Sequence, residues 1–438
     1  MDVVIENPPY IRYQLFSGKT REKALRIAKR EGVKLNGLTA SWVPFVIHAE
    51  RFLKKEGRMA FVLPSKLLHV KYAKPFRKWL LRKFADITII AFDRRVFSEI
   101  LEDTILLLAD KQGSSGVRFI RVSNEKELST TDLSSIQIIH PRAEEKWTKY
   151  LLPSKMWKEL HSILEKVKDE FVPLGSFGFV TIGVVTGSND FFTLTEREVL
   201  DWGIEEKYLL PLVSKAEDLS GIRVTNDDWL LSKKLGHKCY LLHLTEPWER
   251  LGARVRDYLE QRGRELDVRS KYKVRIRKVW YEVPGVRFPD LFISYMSHEV
   301  PKIAVNEVNL QGKKATSTNT IHQVFLKSRI DPLILAVSFY NSLTLVSAEL
   351  TGRFYGGGVL KLEPKEVERI LVPNMTEVKI KTELIYIVDE LLRSGKVHHA
   401  VSLVDGIILE ESLGLTTRDV KLLNDVWIHL QKQRINKG

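Results

Sequence analysis

A chain of 438 residues with 44% hydrophobic content is long enough for two or three domains with sizeable cores, and too apolar to be disordered. Its formal net charge of +14 favours a polyanionic partner, because lysines and arginines bind phosphates and release counterions. The one cysteine, Cys239, excludes an internal disulfide and a cysteine-based zinc site; with no long apolar run and no signal-peptide pattern, a soluble, cytoplasmic protein is expected.

The first element is a short apolar strand over residues 2–6, running into Asn7-Pro8-Pro9-Tyr10. Residues 20–31 read as a helix with Thr20 at its cap. A second helix is expected from Ser41 to Glu56, with Trp42, Phe45, Val46, Ala49, Phe52 and Leu53 on one face and Gly57 ending it. Residues 58–64 form the next strand, and residues 72–84 a helix with Tyr72, Phe76, Trp79, Leu80 and Phe84 inward. Apolar strands follow over 87–92 and 103–109. This alternation predicts an α/β layer structure with a mainly parallel sheet. The polar, turn-rich stretch from Gly116 to Ser135 marks the first domain boundary. From about 140 to 374 the pattern is irregular, with short strands, many aromatics and long loops, and residues 376–438 read as helices. In the last segment Leu384, Ile387, Val388 and Leu391, then Val420, Leu423, Trp427 and Leu430, recur at helical spacing and form packing faces.

Asn7-Pro8-Pro9-Tyr10 after a buried strand resembles the tetrapeptide of amino-methyltransferases that act on nucleic acid bases. The likeness continues through Ile11-Arg12-Tyr13-Gln14, Ser41-Trp42-Val43-Pro44-Phe45, Gly57 to Ser65, Arg95-Val96-Phe97 and Asp103 to Leu108. It extends to Gly183 through Phe192 and to Phe354 through Pro373, which look like the entry and exit of a recognition domain. The chain thus resembles the N6-adenine DNA methyltransferases of restriction-modification systems, the branch with a C-terminal target-recognition domain. The resemblance implies S-adenosylmethionine as methyl donor, double-stranded DNA as partner and an adenine rotated out of the duplex. Asn7 and Pro8 would offer carbonyl oxygens to the two N–H bonds of the exocyclic amine, favouring its pyramidal, nucleophilic form. Pro8 and Pro9 would fix the backbone in advance. Tyr10 would stack on one face of the base and Phe97 on the other. Glu6 departs from the family, which has a small residue before the asparagine.

The cofactor half is expected to be missing. Methyltransferases hold the cofactor with a glycine-rich turn after the first strand and an acidic residue after the second, and neither precedes Asn7. The segment after Pro373 has no strand–Gly-x-Gly–helix signature, and Gly356-Gly357-Gly358 reads as a close backbone approach. The cofactor-binding residues are therefore unknown. Either a second polypeptide carries that half or the chain is part of a longer protein.

The expected fold class is α/β: a partial Rossmann-like methyltransferase sheet (1–135), a mixed α+β target-recognition domain (136–375) and a helical C-terminal segment (376–438). For DNA contact, Thr186, Ser188 and Asn189 could reach bases or satisfy their own turn. Arg269, Lys271, Lys273, Arg275 and Arg277 alternate with Tyr272, Val274 and Ile276 and suggest either a strand lining phosphates with one face, or an irregular basic loop or the end of the preceding helix. Lys273, Arg275 and Arg277 are the candidates carried forward. Asp290, Glu299 and Lys302 have the wrong spacing for a nuclease site, and eleven histidines lack metal-ligand spacing, so no metal is assigned. The alternative from another class is a non-catalytic DNA-binding specificity subunit of a restriction or defence complex. A methyltransferase acting on RNA or a protein amide fits the large C-terminal recognition region less well.

Overall fold

The computed structural model describes residues 1–93, 103–327, 330–355, 357–374 and 380–435. The chain divides into two compact units. One comprises Met1–Ser162, Arg353–Val359 and His429–Gly438; the other comprises Ile163–Gly352 and Leu360–Ile428.

The first unit is built on five strands: β1 (Val3–Glu6), β2 (Arg58–Pro64), β3 (Asp86–Phe92), β4 (Thr104–Asp110) and β5 (Gly116–Val122). Their order is β1-β2-β4-β3-β5. β1 runs parallel to β2 and β3 to β5, whereas β4 is antiparallel to both β2 and β3. The sheet is thus mixed, not mainly parallel, because β4 inserts between β2 and β3 in the reverse direction. The fifth strand corrects the reading of Gly116 to Ser135 as wholly turn-rich. Its polar look comes from Arg118 and Arg121, which are neutralised across the sheet by Asp86 and Asp93. Val117, Phe119 and Val122 of that strand are buried.

Three helices precede or connect these strands: α1 (Gly18–Arg30), α2 (Trp42–Glu50) and α3 (Lys74–Lys83). Trp42, Val43, Val46 and Ile47 of α2 and Phe76, Trp79 and Leu80 of α3 share one core with Met59, Phe61, Leu63, Ile89 and Leu107 of the sheet. Each large apolar side chain so buried contributes roughly 1.5–3 kcal/mol. α2 is shorter than its periodicity suggests. It ends at Glu50 and leaves Phe45 38% and Phe52 52% exposed, while Val43 and Ile47 are buried. The opposite face of the sheet is covered unevenly. Ile90, Phe92 and Val122 form a small core there with Leu128. Toward β1 the cover stops: Val3 is 46% and Ile5 75% exposed, and Ala60, Val62, Leu106 and Leu108 are half-buried.

The second unit holds a five-stranded sheet in the order Arg223–Val224, Ile303–Asn306, Leu291–Ser294, Ile321–Leu326, Gly178–Ile182. A four-stranded sheet contains Thr316–Ser317, Leu209–Val213, Tyr240–Leu242 and Thr193–Leu194. The helices Pro332–Ser338 and Ser342–Thr351 are largely buried, and among the described residues no single helix is long and apolar enough to cross a membrane. Helices Thr382–Arg393 and Thr417–Ile435 form where the sequence places them. Leu384, Val388, Leu423, Trp427 and Leu430 are buried as their spacing requires, but Ile387 is 48% exposed.

Candidate active site and nucleic-acid interface

β1 ends at Glu6, and the chain leaves the sheet through Asn7-Pro8-Pro9-Tyr10. Asn7 is exposed, Pro8 is buried and Tyr10 is half-buried against the core of the first unit. The Tyr10 hydroxyl lies 2.9 Å from the Val62 carbonyl of β2 and 3.1 Å from Asn7 Oδ1. Its single proton is shared between these two acceptors, with the shorter contact to β2. Ser41, at the start of α2, holds the next residues from the other side. Its hydroxyl donates to the Pro9 carbonyl and accepts from the Ile11 amide at 2.9 Å, and its own amide donates to the Ile11 carbonyl at 3.1 Å. Among the described residues no donor reaches the Pro8 carbonyl, and the tyrosine hydroxyl is the one partner of Asn7 Oδ1. Two carbonyl acceptors thus stand at the end of a strand with capacity for two further N–H donors. Phe97 lies outside the described residues.

In the second unit the structure brings the two suspected DNA-contacting stretches together. Lys271 Nζ donates to Ser188 Oγ at 2.8 Å, and Arg277 donates to the Thr186 carbonyl at 2.6 Å. Gly187 has φ +72°, and a Cβ there would meet Lys273 Cβ at 2.9 Å, so only glycine permits this approach. The strand reading of residues 269–277 is corrected: the segment is a tight turn over Val268–Ser270 and a helical turn over Tyr272–Arg275. Asp267, with φ 45°, ends the preceding helix in a conformation that does not lead into a strand. The apolar residues do not share a face, since Val274 is buried while Tyr272 and Ile276 are exposed.

The candidates divide by environment. Thr186 and Ser188 are buried; Thr186 Oγ1 donates to Asn189 Oδ1 and accepts from the Ser188 amide, so both shape the loop. Arg277 lies over the Phe192 ring, and burial holds its guanidinium below the usual arginine range. Its contacts are with backbone carbonyls of the loop. Asn189, Lys273 and Arg275 are exposed.

The segment 144–409 matches the family described as "Type II methyltransferase M.Eco57I, C-terminal domain", and residues 1–97 match "Eco57I restriction-modification methylase". The chain belongs to this restriction-modification methyltransferase family. It is 26% identical over 379 residues to the Type II methyltransferase M.AccI of Acinetobacter calcoaceticus, covering 84% of this chain and 68% of that one. It is 23% identical over 382 residues to the Type II methyltransferase M.XamI of Xanthomonas campestris pv. amaranthicola, covering 85% and 67%. In fold it is similar to the Type IIL restriction-modification enzyme MmeI, solved in complex with DNA, with a TM-score of 0.52 and 11% identity; the likeness spans 98% of this chain and 57% of that one.

Methyltransferases of this family raise the question of where the cofactor sits. The helix that follows β1, α1, opens on Gly18, but no Gly-x-Gly turn leads into it. Among the described residues no strand pairs with the outer edge of β1. Gly358 is a close backbone approach and not a phosphate loop: at φ +72° a Cβ there would lie 2.9 Å from Ile435 Cα, and the Arg434 guanidinium donates to its carbonyl.

Several residues of the site have no local signature. Ser41 and Val62 act on the tetrapeptide from 32 and 52 residues away. Arg77 is buried and donates to the carbonyls of Leu67, Val70 and Ala143, fixing the loop after β2; burial lowers its guanidinium to about 10. Asn319 pairs with Asn189, its Oδ1 accepting from Asn189 Nδ2 at 3.2 Å. Polar residues at a turn were its only mark in the sequence.

Proposed function

We propose that this chain is the target-base-binding and DNA-recognition portion of an S-adenosylmethionine-dependent adenine-N6 DNA methyltransferase. The carrying observation is the coupling of Asn7 to Tyr10 and Val62 at the end of β1, beside an open Pro8 carbonyl. The adenine leaves the duplex and stacks on Tyr10, with Phe97 assigned to its other face. Asn7 Oδ1 and the Pro8 carbonyl accept its amine N–H bonds, and positive charge developing on nitrogen is stabilised by acceptors already in place. Pro9 holds that geometry. The methyl donor belongs to a half with a glycine-rich turn, on a second polypeptide or elsewhere in a longer chain. The bare sheet face around Val3 and Ile5 supports this reading, because an apolar sheet face in water is a place for further structure.

In the recognition unit, Asn189 is proposed to read bases, while Lys273 and Arg275 contact phosphates. Thr186, Ser188 and Arg277 hold the loop that presents them. The test is Asn7→Ala, assayed for methyl transfer to DNA with the cofactor half present. Methylation should be lost while DNA affinity stays within twofold, on the order of 0.4 kcal/mol. Undiminished methylation by that variant would sink the assignment.

A further inference from the structure

Two asparagines of the second unit, Asn189 and Asn319, meet across 130 residues of sequence, and the hydrogen bonds around them fix which way each amide points. Thr186 Oγ1 accepts from the Ser188 amide at 3.2 Å, which leaves its own proton to be donated. It lies 2.5 Å from the Asn189 side chain, a distance that suits O–H···O and is too short for N–H···O. The Asn189 atom facing Thr186 is therefore Oδ1, and its amide nitrogen turns to Asn319 at 3.2 Å. The Asn319 atom that receives it must in turn be Oδ1. Both side-chain oxygens are thus engaged. One proton on Asn189 Nδ2 and both on Asn319 Nδ2 meet no acceptor among the described residues.

The surrounding loops hold the pair in place. The Val184 amide donates to the Ser317 carbonyl at 2.7 Å and joins the two segments. On either side of Asn319, the hydroxyls of Thr318 and Thr320 lie 2.9 and 2.8 Å from the Ser214 carbonyl. Asn189 is exposed and Asn319 half-buried. The exposed cations Lys273 and Arg275 belong to the helical turn packed on Gly187, two residues before Asn189.

Unused donors beside engaged acceptors select a base edge made of acceptors. An asparagine that reads adenine offers Oδ1 to the N6 amine together with Nδ2 to N7, and here each Oδ1 is already bonded. In the major groove guanine presents two acceptors, O6 and N7. We infer that Asn189 and Asn319 form a donor pair that reads a guanine in the major groove, with Asn319 its specificity-determining member. This rests on the proposal that the Asn189 loop contacts DNA, and it adds a second residue and the base that the pair takes.

The experiment selects binders of the full chain from DNA duplexes of randomised sequence. The unaltered chain should enrich a guanine at one position, and Asn319→Ala should lose that preference. Asn319→Asp keeps an acceptor for Asn189 and puts a carboxylate oxygen in place of the unused donors. It should favour cytosine there over guanine by roughly tenfold, because the cytosine N4 amine donates, with the other positions unchanged. Exchanging that guanine for 7-deazaguanine, which lacks N7, should weaken binding of the unaltered chain roughly fivefold and leave Asn319→Ala unaffected. The donor pair is overturned if all three chains enrich the same sequence, if the position that changes is not a guanine, or if 7-deazaguanine weakens binding of Asn319→Ala equally. The double variant Lys273→Gln/Arg275→Gln, measured alongside, separates this from the underlying reading. Weaker binding to every sequence keeps the loop on DNA even where the donor pair fails; unchanged binding removes the loop from the interface, and the donor pair with it.

Discussion

At the scale of the residue, the Tyr10 hydroxyl separates two jobs that one side chain performs. In the proposed function its ring would supply a face for a base, while its hydroxyl shares one proton between Asn7 Oδ1 and the Val62 carbonyl. Tyr10→Phe keeps the ring and removes the tie. It should lower the rate of methyl transfer at saturating DNA while changing DNA affinity little. Tyr10→Ala should also weaken capture of an extrahelical adenine by roughly 1–3 kcal/mol. Single-turnover rates and equilibrium binding, measured for both variants, would separate the two; an unimpaired rate in Tyr10→Phe would show that the tie is structural only. Arg77 makes a different prediction. Three backbone carbonyls depend on its buried guanidinium. Arg77→Met leaves them without a donor and should destabilise the first unit by about 3 kcal/mol, read from denaturant unfolding. The Asn7–Tyr10 turn that ends β1 stands out in the sequence because it is four consecutive residues. Ser41, Val62 and Arg77 do not, because a hydrogen bond to a residue tens of positions away leaves no periodic trace.

At the scale of the element, the strands β2, β3 and β4 were legible from their apolar runs to within one residue, since burial dictates those residue types directly. The segment after Asp267 was not. Alternating cations and apolar residues satisfy a strand pattern, but a strand also needs a neighbour to complete its ladder. Here Lys271 and Arg277 bond instead to the loop around Gly187. That loop should be sensitive to a single methyl group. Gly187→Ala places a Cβ against Lys273 and forces a positive φ on a chiral residue, so it should cost at least about 1 kcal/mol and weaken DNA binding by displacing Asn189. Wild-type affinity in Gly187→Ala would remove this loop from the DNA interface. Helix Ser342–Thr351 gives a pH prediction. Asp405 is buried and accepts from the Ser342 amide and hydroxyl; burial, only partly opposed by those bonds, pushes its carboxyl up to about 6. Its folded value is raised, so its contribution to stability is complete below the ordinary carboxylate range and is lost as pH rises through about 6. The loss amounts to about 3 kcal/mol. Relative to Asp405→Asn, the unaltered chain should lose that stability between about pH 4 and 7. Parallel unfolding curves for the two across this range would contradict the assignment.

At the scale of the whole molecule, a net charge of +14 and a family of restriction-modification methyltransferases leave one physical question, which is where the methyl donor binds. β1 offers an outer edge with no partner among the described residues, and Ile5 is 75% exposed on a face of half-buried apolar residues. An unpaired strand edge and a bare apolar face favour docking of further structure over exposure to water. Calorimetric titration of the chain with S-adenosylmethionine should therefore show negligible binding. Binding should appear when a polypeptide carrying the strand–Gly-x-Gly–helix half is added. Ile5→Lys should prevent that recovery, because an ammonium in the joint between the halves would be desolvated without a partner. The same variant should leave DNA binding by the recognition unit unchanged, since Ile5 lies in the other compact unit. Micromolar binding of S-adenosylmethionine to the chain alone would place the cofactor site within these residues and overturn the divided arrangement. Recovery that is equally strong with Ile5→Lys would keep the division but move the joint away from β1.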